Sequence, residues 1–147
     1  SALGPGADAI HCHMTNTRNT PIEALERSFP VRMERYAVRP AGPDRTDGDE
    51  QPGGAGVVRV YRFLADAEVT LITDRRRYPP WGLGGASPGA LGENWLVRAD
   101  GTRQALKGKL TLRLSPGDQI EIHTPGGGAY RRPAEATMGT KSTPQTS

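Results

Sequence analysis

The stretch K-L-T-L-R-L-S-P-G-D-Q-I-E-I-H-T, residues Lys109 to Thr124, decides how this chain folds. Leu110, Leu112 and Leu114 alternate with Lys109, Thr111 and Arg113, the period of a strand with one buried face. Ser115-Pro116-Gly117-Asp118 then turns the chain, because proline presets φ and glycine accepts a positive one. Gln119 to Thr124 returns with Ile120 and Ile122 inward, so the stretch reads as two strands about a tight turn. Upstream, Asn94 to Arg98 and Thr102 to Leu106 flank Asp100-Gly101, a strong hairpin signal. Ala67 to Thr73 alternates Ala67, Val69 and Leu71 against Glu68, Thr70 and Ile72. Val57 to Leu64 sets Val58, Val60 and Leu64 on one side and Arg59, Tyr61 and Phe63 on the other, so both of its faces are covered.

Val31 to Val38 is a further strand, with Val31 and Met33 on one face. Tyr36 and Val38 fall out of phase and imply a bulge or cover on both sides. Before it, Pro21 to Ser28 reads as a short helix, Ile22, Leu25 and Phe29 forming its apolar side. Thr20 suits the N-cap, Pro21 the first helical position, and Glu23 completes a capping box. Ala9 to Met14 is read as extended. Residues 40–56 lack aromatic and β-branched aliphatic side chains and cannot order themselves by burial. Gly82 to Gly92 is a second glycine-rich loop, without the lysine of a phosphate-binding loop, and suits a tight crossing of two backbones. Pro125 to Gly128 closes the sheet. The whole is mainly β: seven or eight strands in hairpins, an antiparallel sandwich or partly open barrel with one short helix and long Gly/Pro-rich loops. Residues 1–132 form a single β-rich domain, and 133–147, rich in Thr, Ser, Pro and Gln, a tail that is flexible or draped on a partner.

The 147 residues are long enough for one domain, but only 35% are apolar and 5% aromatic, with 19 glycines and 13 prolines. So thin a core points to support from elsewhere. A net charge of +3 spread along the chain argues against nucleic-acid binding. Cys12 stands alone and fits a reducing, cytoplasmic setting. No apolar run reaches membrane-spanning length, so no membrane partner is expected. Ser1-Ala2 suits a chain whose initiator Met was removed, and equally a trimmed one.

Two polar clusters carry what chemistry the chain could offer. The loop H-C-H-M-T-N-T-R-N gathers His11, His13, Asn16, Arg18 and Asn19, whose polar groups need partners if buried. His11 and His13 make half a metal site at most; no second cysteine or nearby carboxylate completes it, so no metal is assigned. Asp74-Arg75-Arg76-Arg77-Tyr78-Pro79-Pro80-Trp81 sets three guanidiniums beside aromatic rings. Arg75, Arg76, Arg77 and Trp81 could hold an anion or an interface; pairing with carboxylates and backbone carbonyls of the same assembly is the plainer use. No activated nucleophile, metal cluster or phosphate loop is visible, so no residue is assigned a catalytic role.

H-x-H-M-T-N-T-R-N-T-P-I-E-A-L-E, the pair V-V-R-V-Y-R-F-L and D-R-R-R-Y-P-P-W-G-L, and K-L-T-L-R-L-S-P-G-D-Q-I-E-I-H-T-P-G-G-G resemble, in order, the C-terminal region of the hydantoinase B and 5-oxoprolinase family. Pro52 stands where the family usually has an arginine before a Gly-Gly. The family includes subunits of ketone carboxylases. The resemblance implies an ATP-dependent enzyme whose metal and nucleotide are held elsewhere: ATP with Mg or Mn, and Zn as a further candidate, on larger hydantoinase A-like and hydantoinase B-like partners, with no cofactor on this chain. It implies first a small non-catalytic subunit of an acetophenone carboxylase, which makes benzoylacetate from acetophenone, bicarbonate and ATP. The alternative is a C-terminal fragment or split domain of a hydantoinase B or 5-oxoprolinase-type amidohydrolase, and a third reading is an independent β-rich ligand-binding module.

Overall fold

The computed structural model describes residues 4–11, 18–39 and 50–132. Helix α1 (Ile22–Ser28) precedes strands β1 (Val31–Val38), β2 (Glu50–Gln51), β3 (Val57–Phe63), β4 (Ala67–Ile72), β5 (Glu93–Val97), β6 (Arg103–Leu106), β7 (Lys109–Leu114), β8 (Gln119–His123) and β9 (Tyr130–Arg131). Five strands form one antiparallel sheet in the order β1-β3-β8-β5-β6, while β4 pairs with β7 and β2 with β9. The mainly β, antiparallel expectation holds, in its sandwich form.

Alternation explains the layers. In β4 and β7, Ala67, Val69 and Leu71 stand opposite Leu114, Leu112 and Leu110, so six apolar side chains share one face. They cover the inner face of the five-stranded sheet, where Tyr61 faces Ile120 and Ile120 faces Leu96. Leu96, Leu114 and Ile120 are fully buried, and each contributes about 1.5–3 kcal/mol by leaving water.

The turn at 115–118 forms as read, with Gly117 at φ 93° and the Asp118 N–H donating to the Ser115 carbonyl at 3.1 Å. It is not a hairpin, however. β7 belongs to the small sheet and β8 to the large one, so the turn is a corner between layers. The β3–β4 connection makes a matching corner, and the Phe63 N–H and carbonyl bond to Asp118 and Gly117 across it. Phe63 therefore enters the core while Leu64, beyond the strand end, is 55% exposed; sequence alternation alone had put Leu64 inside with Val58 and Val60. Those two valines are buried on the other face of β3, as the two-sided reading required.

Four other readings meet the structure. The bulge in β1 lies between Met33 and Arg35. The Asp100-Gly101 hairpin joins β5 to β6, with Gly101 at φ 87°. The Thr20 cap does not form: Pro21, at ψ 143°, is itself the N-cap, its carbonyl accepts the first helical bond from Leu25, and no side chain caps the helix. Ala9 is not in a strand either, since its φ of 57° turns the backbone. The helix, at seven residues, has no fully buried residue; Ile22 and Leu25 are half-buried, and Glu26 ties it to β1 by accepting from the Met33 N–H at 2.8 Å.

Residues 50–56 are ordered by polar and backbone contacts where apolar burial was lacking. Glu50, 5% exposed, receives the Ser87 N–H and the Arg131 guanidinium at 2.7 Å. The glycine-rich loops cross closely, Gly89 and Gly53 each packing on the Gly126–Gly128 backbone, where any side chain would collide. Positions 1–3, 12–17, 40–49 and 133–147, and with them Cys12, the first part of the 40–56 segment and the tail, lie outside the described residues. Among the described residues no helix is long and apolar enough to cross a membrane.

Asp118 holds the corner. Its buried carboxylate accepts from the Ser115 N–H at 2.9 Å, the Ala99 N–H at 3.1 Å and the Arg98 guanidinium at 2.7 Å. Burial pushes its pKa up, but those donors outweigh burial and leave it lowered. Its stabilisation is therefore complete above the ordinary Asp pKa of about 3.9 and fades as pH falls through the lower folded value. Asp118→Ala, which strands three donors, is expected to cost about 2–3 kcal/mol in urea unfolding at neutral pH. The gap between the two proteins should narrow in acid; a gap that widens there would contradict the assignment.

Candidate functional site

After β4 the chain leaves the small sheet through Thr73 and runs across the end of the sandwich as the arginine-rich loop. One buried amide fixes that loop. Asn94 on β5, 2% exposed, accepts from Arg76 Nε at 3.2 Å and Arg76 Nη2 at 2.7 Å, and donates to the Thr73 hydroxyl at 2.8 Å. Thr73 in turn donates to the Gly108 carbonyl at 2.9 Å, and Arg76 Nη1 to the Asp74 carbonyl at 2.7 Å. Gly92 leaves room for the guanidinium, which a Cβ at that position would strike. Burial, and then the neighbouring Arg39, lower the Arg76 pKa, while Asp74 and Glu93 act against them. Arg76 thus belongs to the framework, as the plainer use of the arginines allows.

Its neighbours point outward. Arg75 takes φ 58° and lies over the Trp81 ring at 4.7 Å, and Arg77 lies over Tyr78 at 5.3 Å. The left-handed backbone at Arg75 lets successive arginines diverge, and the Gly92 N–H bonded to the Arg75 carbonyl at 2.9 Å holds it there. Trp81 is 68% exposed.

The loop forms one wall of a cleft of about 1330 Å³. The opposite wall is the strap 4–11, which lies along residues 52–56 through bonds from Gly6 to Pro52, from Ala9 to Ala55 and from Ala55 to the Asp8 carboxylate. His11 at the end of that strap lines the cleft, as does Asn19, whose amide oxygen faces Arg59 Nη1 at 3.4 Å. Arg59 lies over the Tyr36 ring at 5.1 Å. The cleft therefore brings His11 and Asn19 together with Arg75, Arg76 and Arg77, two clusters that are far apart in sequence. Arg18 is exposed and Trp81 lies beneath Arg75; among the described residues neither is part of the lining. His13 and Asn16 lie outside the described residues.

Three contributors escaped the sequence reading. Arg59 sits on the inner-face register of β3 with Tyr61 and Phe63, and a charge at an inward position was its available signal. Lys109 was read only as the outer side of a strand. Asn94 carried no signal, since nothing local marks an amide for burial. Among the described residues no group of three or more His, Cys, Asp and Glu side chains is placed to hold a metal.

Comparison with known proteins gives this arrangement a family. The sequence profile described as Hydantoinase B/oxoprolinase matches residues 1–133. The chain belongs to the hydantoinase B/oxoprolinase family. It is 43% identical over 117 residues to an uncharacterized protein of Methanocaldococcus jannaschii, covering 80% of this chain and 20% of that protein. It is 36% identical over 126 residues to 5-oxoprolinase 1 of Arabidopsis thaliana, covering 85% and 10%. It is 35% identical over 137 residues to a protein of a Pseudomonas species named for the B-type component of a D-/L-hydantoinase, covering 88% and 22%. The chain thus spans about a tenth to a fifth of these relatives. No solved structure matches it.

Removing the Asn94 amide should loosen the arginine loop without dissolving the sheet. Asn94→Ala leaves the half-buried Arg76 guanidinium and the Thr73 hydroxyl short of partners and is expected to cost about 2–3 kcal/mol. Arg76→Lys, which cannot reproduce two donors on one oxygen, should cost a similar amount. Chemical unfolding of the two single variants and the double variant checks this; full additivity of the two losses would contradict a shared network.

Proposed function

We propose that this chain is a non-catalytic part of a hydantoinase B/5-oxoprolinase-type ATP-dependent amidohydrolase, corresponding to the C-terminal region of that family. The observation that carries the reading is the family match across residues 1–133 in a chain that spans about a fifth or less of the relatives compared. The described residues add an ordered sandwich and a cationic cleft but no nucleophile paired with a base. Two of the three relatives carry oxoprolinase or hydantoinase names, which favours hydrolysis over the carboxylation of acetophenone. On this reading, ATP with Mg or Mn, and any Zn, belong to larger hydantoinase A-like and B-like polypeptides, and this chain binds no cofactor of its own. The cytoplasm, where a lone cysteine stays reduced, is the compartment that suits it.

The test is reconstitution. The purified chain should hydrolyse neither 5-oxoproline nor a hydantoin with ATP, and should associate with the larger polypeptides to give an enzyme that does. Turnover by the chain alone would overturn the reading. Asn16→Ala with Asn19→Ala is expected to leave assembled activity within about tenfold of wild type. A loss beyond about a hundredfold with assembly intact, the scale of a missing acid or base, would instead give the polar loop a catalytic role.

A further inference from the structure

The cleft is lined by five cationic side chains, Arg59, Arg75, Arg76, Arg77 and Lys109, and by one carboxylate, Asp74, among the described residues. Asp74 is spent weakly on Lys109, 3.9 Å away with both side chains largely exposed. Arg59, Arg75 and Arg77 form no ion pair among the described residues. Each lies instead over an aromatic ring, Tyr36, Trp81 or Tyr78, which steadies the guanidinium plane and leaves N–H donors for a planar acceptor. Arg39, Arg62, Arg98, Arg103 and Arg131, by contrast, each meet a carboxylate within 2.8 Å. The three guanidiniums of Arg59, Arg75 and Arg77, without a carboxylate partner among the described residues, thus share one cleft; Arg18, Arg27, Arg32, Arg35, Arg132 and Lys107 also form no ion pair there but do not line it.

From this we infer that the cleft docks a carboxylate-rich segment of the larger hydantoinase B-type polypeptide. The inference rests on the functional reading above for the identity of that polypeptide, and on charge complementarity for its chemistry. Size separates a chain segment from a metabolite: pockets for small ligands run to about 300–1000 Å³ and enclose them, whereas this cleft exceeds that and lies open along the end of the sandwich. The share of the relatives outside this chain supplies ample polypeptide to fill it. The aromatic rings beside the arginines give an entering segment apolar surface as well as charge, the composition of an interface centre.

The test uses a fluorescent oligoglutamate peptide as probe at low salt, followed by the larger polypeptide itself. The wild-type chain should bind the peptide, salt should weaken binding, and Arg75→Glu with Arg77→Glu should weaken it by roughly tenfold or more. Arg113→Glu, on the outer face of β7 away from the cleft, should have little effect. Both changes are at exposed side chains, and an unchanged melting temperature confirms folding. Absent binding, equal loss in Arg113→Glu, or tighter binding of inorganic pyrophosphate than of the peptide would overturn the inference. The paired reversal should also abolish association with the larger polypeptide. Association that survives it overturns the cleft assignment but leaves the functional reading standing. A wild-type chain that binds the peptide yet never associates overturns the functional reading and, with it, the identity given to the occupant.

Discussion

The Asn94 amide is the constraint from which the site is built. It lies in the large sheet, faces the loop that leaves the small sheet, and uses both ends of its side chain to join them. A buried amide with its hydrogen bonds made is nearly neutral for stability, but one with them broken is costly, so the arrangement selects one position for the loop. Arg76 is drawn inward and half-buried at the edge of the cleft, and Arg75 and Arg77, its neighbours in sequence, are turned outward. Three arginines in a row thereby divide into one framework residue and two that face the cleft.

The same economy recurs across the molecule. Five buried apolar side chains make the centre of the core, too few to fix the long loops by packing alone. Buried polar groups do that instead. Asp118 gathers the turns at 97–102 and 115–118, Glu50 binds the 87 loop to β9, and Arg39 reaches the Leu91 carbonyl at 2.6 Å and Glu93 at the same distance. Each tie is directional, so the loops are positioned by hydrogen-bond geometry while the sandwich supplies most of the hydrophobic free energy.

Much of the sandwich was legible in the sequence. Period-two alternation marks β4, β7 and β8, Ser115 to Asp118 mark the turn between β7 and β8, and Asp100-Gly101 the turn between β5 and β6, because these signals depend on neighbours in the chain. Which strand pairs with which was not legible: the 115–118 turn reads the same whether it folds a hairpin or a corner between sheets, and only the partners of Leu112 and Ile120 distinguish the two. Leu64 was misplaced for the same reason, since alternation says nothing about where a strand stops. The Thr20 cap was a sound local preference displaced by the extended conformation of Pro21. The site was visible as two clusters, the His11 to Asn19 loop and the arginine run, but their meeting across the cleft, and the parts played by Arg59 and Asn94, depend on tertiary contacts.

Hydrogen exchange on the chain alone and bound to a larger hydantoinase B-type polypeptide tests the central claim most directly, because it maps contact without substitution. The account predicts added protection in residues 73–80 and at the 4–11 strap, with the outer face of β4 and β7 unchanged. Protection confined to that outer face, or none on mixing, would contradict it.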